Sequence, residues 1–316
     1  VKHTWLFVPA DDEAKVAKAL ASSADAVILD LEDGVGEAPE RKAGARRILT
    51  RVLGQDDTDR RRCYVRINAL ASDEITLDIP VAVAGGATGV VLPKCEGPQD
   101  VVRLAKLLSE AEQRHGRSNA TLIVAIATET ARGVQLLPKF QHALPRLEAL
   151  MWGAEDLCSD LRGTSNRGPD GAYVGPYAAA RDACLLAARA AGVLAIDAVY
   201  IAFRDTEGCK RESQAHKSLG FDAKAAIHPS QLDVIRGCFR PTPAQIEWAH
   251  RVLDRFEGGG GATTLDGSMI DTPHVKLARR ILEESQKASQ PDVPAARQGS
   301  NRRIRHLRTP SEDGTC

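Results

Sequence analysis

No run of about 18 apolar residues occurs in this 316-residue chain, so no membrane-spanning helix is expected. A charged leader with a cleavage site is also lacking ahead of the first apolar strand, which points to a cytoplasmic rather than a secreted protein. There is no Cys-x-x-Cys pair. The seven cysteines (Cys63, Cys95, Cys158, Cys184, Cys209, Cys238 and Cys316) are odd in number and scattered. That speaks against a disulfide framework or a zinc site and for a reducing compartment. Net charge is missing as well: 42 Lys+Arg balance 42 Asp+Glu, leaving no electrostatic ground for nucleic acid or a membrane surface as main partner.

What the chain does have is a series of short apolar runs. They read Trp5-Leu-Phe-Val8, Ala26-Val-Ile-Leu-Asp30, Cys63-Tyr-Val-Arg-Ile67, Gly89-Val-Val-Leu-Pro93, Leu122-Ile-Val-Ala-Ile126, Ala149-Leu-Met-Trp152, Ala198-Val-Tyr-Ile201 and Ala225-Ala-Ile-His228. Most are continuous and β-branched rather than alternating, as strands buried on both faces are. Helix-like segments rich in Ala, Leu, Lys and Arg separate them, such as 13–20, 98–115 and 177–191. Gly116 and Gly192 stand directly after the last two, where a helix C-cap glycine is expected. No glycine-rich phosphate loop follows the first strand, which runs into Pro9-Ala-Asp-Asp12, so an open dinucleotide-binding sheet is disfavoured. The expected fold is α/β, a (β/α)8 TIM barrel over 1–240 with a C-terminal helical extension.

Beyond the eighth run the character changes. Thr242-Pro-Ala-Gln245 reads as a capping box opening a helix to about Phe256, and Gly258–Gly261 as a linker. Asp266-Gly267 marks a hairpin turn. Pro273 opens a last helix with Val275, Ala278, Ile281 and Leu282 on one face. Segment 241–288 is therefore expected to be a separate C-terminal element of two helices and a hairpin. Segment 289–316, polar and arginine-rich, is expected to be a solvated, disordered tail rather than a nucleic-acid contact.

Barrel enzymes carry their sites at the C-terminal ends of the strands. Those ends hold Glu32 and Asp33, Arg66, Lys94, Glu129, Asp156 and His228. Oxygen ligands from two adjacent strands suit Mg²⁺, so Glu129 and Asp156 are candidate metal ligands. They could equally cap the following helices or pair with Arg66 or Lys94. Arg66 could hold a carboxylate or an enolate oxygen, or simply neutralise Glu32 or Asp33. Glu32 and Asp33 are candidates for a supporting shell, with turn and cap roles open. His228 could be a purely structural helix-start residue. Asp271, just before Thr272-Pro273, could be a helix cap.

Taken in order, the motifs Thr4-Trp-Leu-Phe-Val-Pro9, Val27-Ile-Leu-Asp-Leu-Glu-Asp-Gly-Val35, Val65-Arg-Ile-Asn68, Val91-Leu-Pro-Lys94, Ala127-Thr-Glu-Thr-Ala131, Gly153-Ala-Glu-Asp-Leu157, Gly220-Phe-Asp-Ala-Lys224 and Ile227-His-Pro229 are highly specific together. The chain, over about residues 3–287, resembles the citrate lyase β-subunit-like family of the HpcH/HpaI aldolase superfamily. Ile196-Asp-Ala-Val-Tyr-Ile-Ala-Phe-Arg-Asp205 and Gly267-Ser-Met-Ile-Asp271 look most like its citramalyl-CoA lyase branch, with malyl-CoA lyases close behind. The resemblance implies a Mg²⁺-dependent carbon–carbon lyase acting on a 3-hydroxyacyl-CoA, and a homotrimer. It implies Glu129 and Asp156 as metal ligands, Arg66 as substrate holder, and Phe7, Lys18, Ile227 and His228 along the CoA path. It also implies segment 241–288 as a lid and oligomerisation segment, with Asp271 as the acid/base that this C-terminal lid delivers to a neighbouring subunit. The family often has Arg at the position of His3 and Gly at that of Ala10. The alternatives are a β-methylmalyl-CoA lyase, a malate-synthase-like enzyme, a citryl-carrier lyase subunit and a non-catalytic CoA-binding protein.

Overall fold

The structure, a computed structural model, describes residues 2–256 and 262–289. The glycines Gly258–Gly261 and the segment from 290 onward, read above as a linker and a tail, lie outside the described residues. The chain divides into two compact units, Val1–Pro241 and Thr242–Cys316.

In the first unit eight parallel strands close into a barrel, each pairing with its neighbour in sequence and the last with the first. They are β1 (Thr4–Pro9), β2 (Ala26–Asp30), β3 (Cys63–Arg66), β4 (Gly89–Leu92), β5 (Leu122–Ile126), β6 (Leu147–Met151), β7 (Leu194–Asp197) and β8 (Ala223–Ala226). Helices follow the strands: α1 (Glu13–Leu20), α2 (Pro39–Gly54), α3 (Ile75–Gly85), α4 (Pro98–Arg114), α5 (Ala131–Leu136), α6 (Glu155–Asp160), α7 (Pro176–Ala191), α8 (Thr206–Leu219) and α9 (Leu232–Phe239). The continuous apolar character of the strands has a direct cause. One set of side chains, including Trp5, Ile28, Val124 and Ile196, fills the barrel interior. The alternate set, including Leu6, Leu29, Val65 and Leu150, packs outward under the helices. Helix ends are set locally. Asp12 caps α1 by accepting from the Lys15 N–H at 3.0 Å, and Gly192 ends α7 at φ 71°.

Two strands lie elsewhere than the apolar runs suggest. The run Ala198-Val-Tyr-Ile201 is loop, with Ile201 49% exposed, and β7 is the preceding Leu194-Ala-Ile-Asp197. β8 ends at Ala226, two residues before His228. Its sequence, Ala-Lys-Ala-Ala, contains no β-branched residue and a lysine. Tertiary pairing overrides propensity here: Ile196 pairs with Ala223 and Met151, and Leu6 with Ala226.

The second unit comprises α10 (Pro243–Phe256), the hairpin β9 (Thr263–Leu265) and β10 (Ser268–Ile270), and α11 (Thr272–Ser289). The capping box forms: the Gln245 N–H donates to Thr242 Oγ1, and the Thr242 N–H to Gln245 Oε1 at 2.9 Å. Asp266 and Gly267 turn the hairpin at φ 50° and 77°. Ala249, Val252, Ile270, Val275, Ala278 and Ile281 make its own small core. No described helix is long and apolar enough to cross a membrane. The described cysteines are all free thiols, and burial pushes Cys63 up to about 11 and Cys95 up to about 12, leaving them inert.

Candidate active site

A cavity of about 340 Å³ opens where the strands end, lined among others by Phe7, Asp30, Arg66, Glu129, Trp152 and Asp156. Its floor is organised by Asp30, the last residue of β2. Both Asp30 oxygens accept from Arg66, at 2.7 Å from Nε and 2.6 Å from Nη2, in the two-pronged geometry of a carboxylate and a guanidinium. The same carboxylate also accepts the N–H groups of Glu32 and Gly34, each at 2.9 Å. That last bond requires glycine. A Cβ at position 34 would lie 2.3 Å from Asp30 Oδ2.

Arg66 then reaches Glu32 at 2.9 Å, while its guanidinium lies over the Phe7 ring at 5.1 Å. The other oxygen of Glu32 takes the Lys94 ammonium, which also contacts Asp33 at 3.3 Å. Burial alone would lower the pKa of Arg66 and Lys94, but the surrounding carboxylates outweigh it and hold both cations firmly charged. Arg66 therefore pairs with both Asp30 and Glu32 and still borders the cavity. Its N–H groups not directed at these acids remain for a ligand.

Glu129 enters from the loop after β5 and is only 4% exposed. It does not cap α5; Thr130 does. Its one described hydrogen bond is accepted from the backbone N–H of Lys94. Room for it depends on Gly153, where a Cβ would stand 2.8 Å from Glu129 Cγ. Asp156 lies in the first turn of α6, a favourable place for a negative charge. Burial, and then the Asp156 charge, push the Glu129 carboxyl up to about 8. Six carboxylates (Asp30, Glu32, Asp33, Glu129, Glu155 and Asp156) thus gather around two cations, Arg66 and Lys94. This uncompensated, all-oxygen donor set fits a hard divalent cation between Glu129 and Asp156.

A second cavity of about 380 Å³ shares Phe7, Pro9 and Ile227 with the first and continues past Lys15, Lys18 and His228. The structure therefore brings Phe7, Lys18, Ile227 and His228 to one groove beside the mouth. His228 is also structural. It caps the short 3-10 turn after β8, accepting from the Ser230 N–H, and Phe203 stacks on it at 4.9 Å.

Residues 3–229 match the HpcH/HpaI aldolase/citrate lyase family. The chain belongs to that family. It is 39% identical over 285 residues to a "Citrate lyase subunit beta-like protein" of Mycobacterium tuberculosis, covering 90% of this chain and 96% of the relative. A "Citrate lyase subunit beta" of Escherichia coli is 34% identical, covering 90% and 93%. A "(3S)-malyl-CoA thioesterase" of Cereibacter sphaeroides is also 34% identical, covering 89% and 93%. Among solved structures, M. tuberculosis CitE in complex with magnesium, acetoacetate and coenzyme A superposes with a TM-score of 0.75 at 38% identity, covering 90% of this chain and 98% of that one.

This HpcH/HpaI aldolase/citrate lyase barrel holds a further charged cluster that the sequence did not announce. Asp197, Glu212 and His216 come within 4.8 Å of one another, a spacing that could suit a metal. The position is already filled by a protein cation. The fully buried Lys224 ammonium sits 2.6 Å from Asp197 Oδ2 and 2.9 Å from Glu212 Oε1, and donates to the Ala198 carbonyl at 2.7 Å. Arg167 adds a second cation on Glu212 at 2.5 Å. Burial would raise the pKa of Asp197, but Lys224 and His216 outweigh it and hold the carboxyl well below its usual range. The cluster works as a brace: Asp197 Oδ1 accepts the Trp152 indole N–H at 2.7 Å, and Trp152 and Ala198 both wall the mouth.

In the second unit Asp271 Oδ1 lies 2.6 Å from His274 Nδ1, while the Asp271 N–H lies 3.2 Å from the same nitrogen. The two contacts need opposite protonation of Nδ1, and the shorter one favours Nδ1–H donating to the carboxylate. The organising role of Lys94 and the parts played by Lys224 and His274 were not legible from the sequence pattern, and that of Asp30 was missed. For Asp30 a signal existed: an acid closing a buried strand four residues before a glycine.

Proposed function

We propose that this protein is a Mg²⁺-dependent carbon–carbon lyase that cleaves a 3-hydroxyacyl-CoA, with citramalyl-CoA to acetyl-CoA and pyruvate as the preferred reaction. The carrying observation is the buried Glu129 carboxylate beside Asp156 in a mouth where acids outnumber cations. The magnesium, acetoacetate and coenzyme A bound to the M. tuberculosis relative support the same ligand classes here.

Glu129 and Asp156 would hold a divalent cation, which would supply Lewis-acid polarisation of the bound substrate. Phe7 and Ile227, which border both cavities, would pack along the thioester arm. Lys18, with His228 nearby, would meet the CoA phosphates. Arg66 has its fork fixed by Asp30 and Glu32, so it is preorganised to stabilise negative charge growing on the thioester oxygen. Glu32 and Asp33, tied to Lys94, form the supporting shell. As the bond breaks, the hydroxyl gives up its proton to solvent and becomes the carbonyl of the keto acid, and the bonding electrons pass to the thioester α-carbon. Asp271, brought on the lid of a neighbouring subunit and entering as the protonated acid, donates its proton there and leaves as the carboxylate, an assignment that rests on the Gly267-Ser-Met-Ile-Asp271 motif. A homotrimer with 241–288 as lid and oligomerisation segment, in the cytoplasm, belongs to the same proposal. Sedimentation equilibrium tests the trimer.

Malyl-CoA lacks one methyl, a difference worth only about 1–3 kcal/mol, so activity on it is expected too. The relative named for thioester hydrolysis favours a second reaction, release of free CoA. An assay on citramalyl-CoA and malyl-CoA, with EDTA and Mg²⁺ add-back, separates the two. Acetyl-CoA plus keto acid marks carbon–carbon cleavage, and free CoA marks hydrolysis. Glu129→Gln should cost on the order of 10²-fold in turnover. Full activity in EDTA would sink the metal assignment, and no turnover on any acyl-CoA would favour a non-catalytic binding protein. Strict dependence on an acyl carrier protein would favour a citryl-carrier subunit.

A further inference from the structure

Lys94 stands just beyond β4 at φ 50°, in the left-handed region that residues with a Cβ rarely adopt. The turn has a definite result. The N–H of the next residue, Cys95, resumes pairing with β5 through the Ile126 carbonyl at 3.0 Å. The Lys94 N–H is instead turned out of the ladder and onto the Glu129 carboxylate. Among the described residues no other hydrogen-bond donor reaches Glu129, although that carboxylate is 4% exposed. Its direction therefore depends on one backbone conformation. The side chain of the same residue carries its ammonium to Glu32 and, at 3.3 Å, to Asp33, on the loop after β2.

Glycine would be the ordinary occupant of such a turn, since it meets no steric penalty at positive φ. Glycine has no cation. The position needs both a left-handed backbone for the β5 acid and a positive charge for the β2 acids, and lysine supplies the two together.

We propose that Lys94 is a positioning residue: its backbone aims Glu129 at the cation site, and its ammonium ties that turn to Glu32 and Asp33. This rests on Glu129 being a cation ligand, as proposed above. The test uses the full chain, stripped of metal and titrated with Mn²⁺ by electron paramagnetic resonance, alongside turnover at saturating Mn²⁺. Lys94→Gly and Lys94→Met keep the turn and lose the ammonium. Their Mn²⁺ Kd should stay within about threefold of wild type, while kcat falls about tenfold as Glu32 is released. Lys94→Ile places a β-branched residue at positive φ and should expel the turn, weakening Mn²⁺ binding by about tenfold or more. Equal Kd for the glycine and isoleucine variants overturns the backbone role, and unchanged kcat in the glycine and methionine variants overturns the ammonium role. Should the isoleucine variant not fold, Lys94→Thr, also β-branched but smaller, takes its place, and it must bind Mn²⁺ more weakly than Lys94→Gly. Glu129→Gln separates the two levels. If it binds Mn²⁺ as wild type does, the cation site itself is wrong. If it loses binding while the Lys94 variants all match wild type, only the role of Lys94 falls.

Discussion

Replacing Lys224 by methionine removes the cation at the centre of the buried brace while keeping its volume. Lys224 and Asp197 are both fully buried, so neither charge can turn to solvent. The substitution strips the ammonium from Asp197, 2.6 Å away, and from Glu212, 2.9 Å away. Breaking a buried ion pair from one side costs about 3–5 kcal/mol, because the partner is left charged and unpaired. Arg167 still covers Glu212, and the Trp152 indole and His216 still contact Asp197, which argues for the lower half of that range. At about 2–4 °C per kcal/mol for a domain of this size, the thermal midpoint should drop by about 6–16 °C. The pH dependence carries the sharper test. In the wild type the Asp197 pKa is depressed, so its contribution is present above the unfolded carboxylate pKa and is lost only as pH falls through the lower folded value. Between pH 8 and pH 5 that contribution is constant. In Lys224→Met the depressing charge is gone and burial raises the pKa, so acid relieves the penalty. The stability gap, read from urea midpoints, should therefore narrow from pH 8 to pH 5, and Lys224→Met/Asp197→Asn should recover part of it. A loss under about 1 kcal/mol at pH 8, or a gap that does not change with pH, would refute the brace.

The Glu129 carboxyl, raised to about 8 by burial and Asp156, makes the metal-free fold bind more protons than the unfolded chain in the window between the ordinary carboxylate pKa and that value. Stability in EDTA should then fall as pH rises from 5 to 9, by on the order of 1–5 kcal/mol, and Glu129→Gln should flatten the profile in thermal melts. Gly34→Ala puts a methyl 2.3 Å from Asp30 Oδ2 and should cost about 1–3 kcal/mol by overpacking. Urea denaturation checks the cost, and a raised KM checks the loosening of Arg66. Asp271→Asn should lower kcat on the order of 10²-fold with Mn²⁺ affinity intact. His274→Ala should lower it in the same direction but less, with a stability change within about 1 kcal/mol because the pair is 38% exposed on each side.

Six of the eight barrel strands coincide with apolar runs, because burial on both faces leaves a continuous signature in β1 through β6. β7 and β8 escape that logic. Leu194-Ala-Ile-Asp197 and Ala223-Lys-Ala-Ala226 have little β-branching, and each holds a charge that burial would forbid were the other not placed beside it. Neither charge is intelligible alone. The same holds for the mouth. That acids gather at strand ends follows from the barrel rule, and Arg66, Glu129 and Asp156 do line one cavity. What local pattern does not carry is the division of labour among them: Asp30 as the partner of Arg66, and a lysine at positive φ as the donor to Glu129. Both depend on contacts between segments 35 or more residues apart.

The register that seals the barrel, Thr4 against Lys224 and Leu6 against Ala226, also sets an order of assembly. Groups that must meet at the seam, such as His3 and Asp222, are 219 residues apart, so most of the unit must be synthesised before the last pairing is available. Until then β1 has one unpaired edge, and the nascent sheet offers it to any other strand. Closing so long a loop is slow, and refolding should show its slowest phase at the seam between β1 and β8.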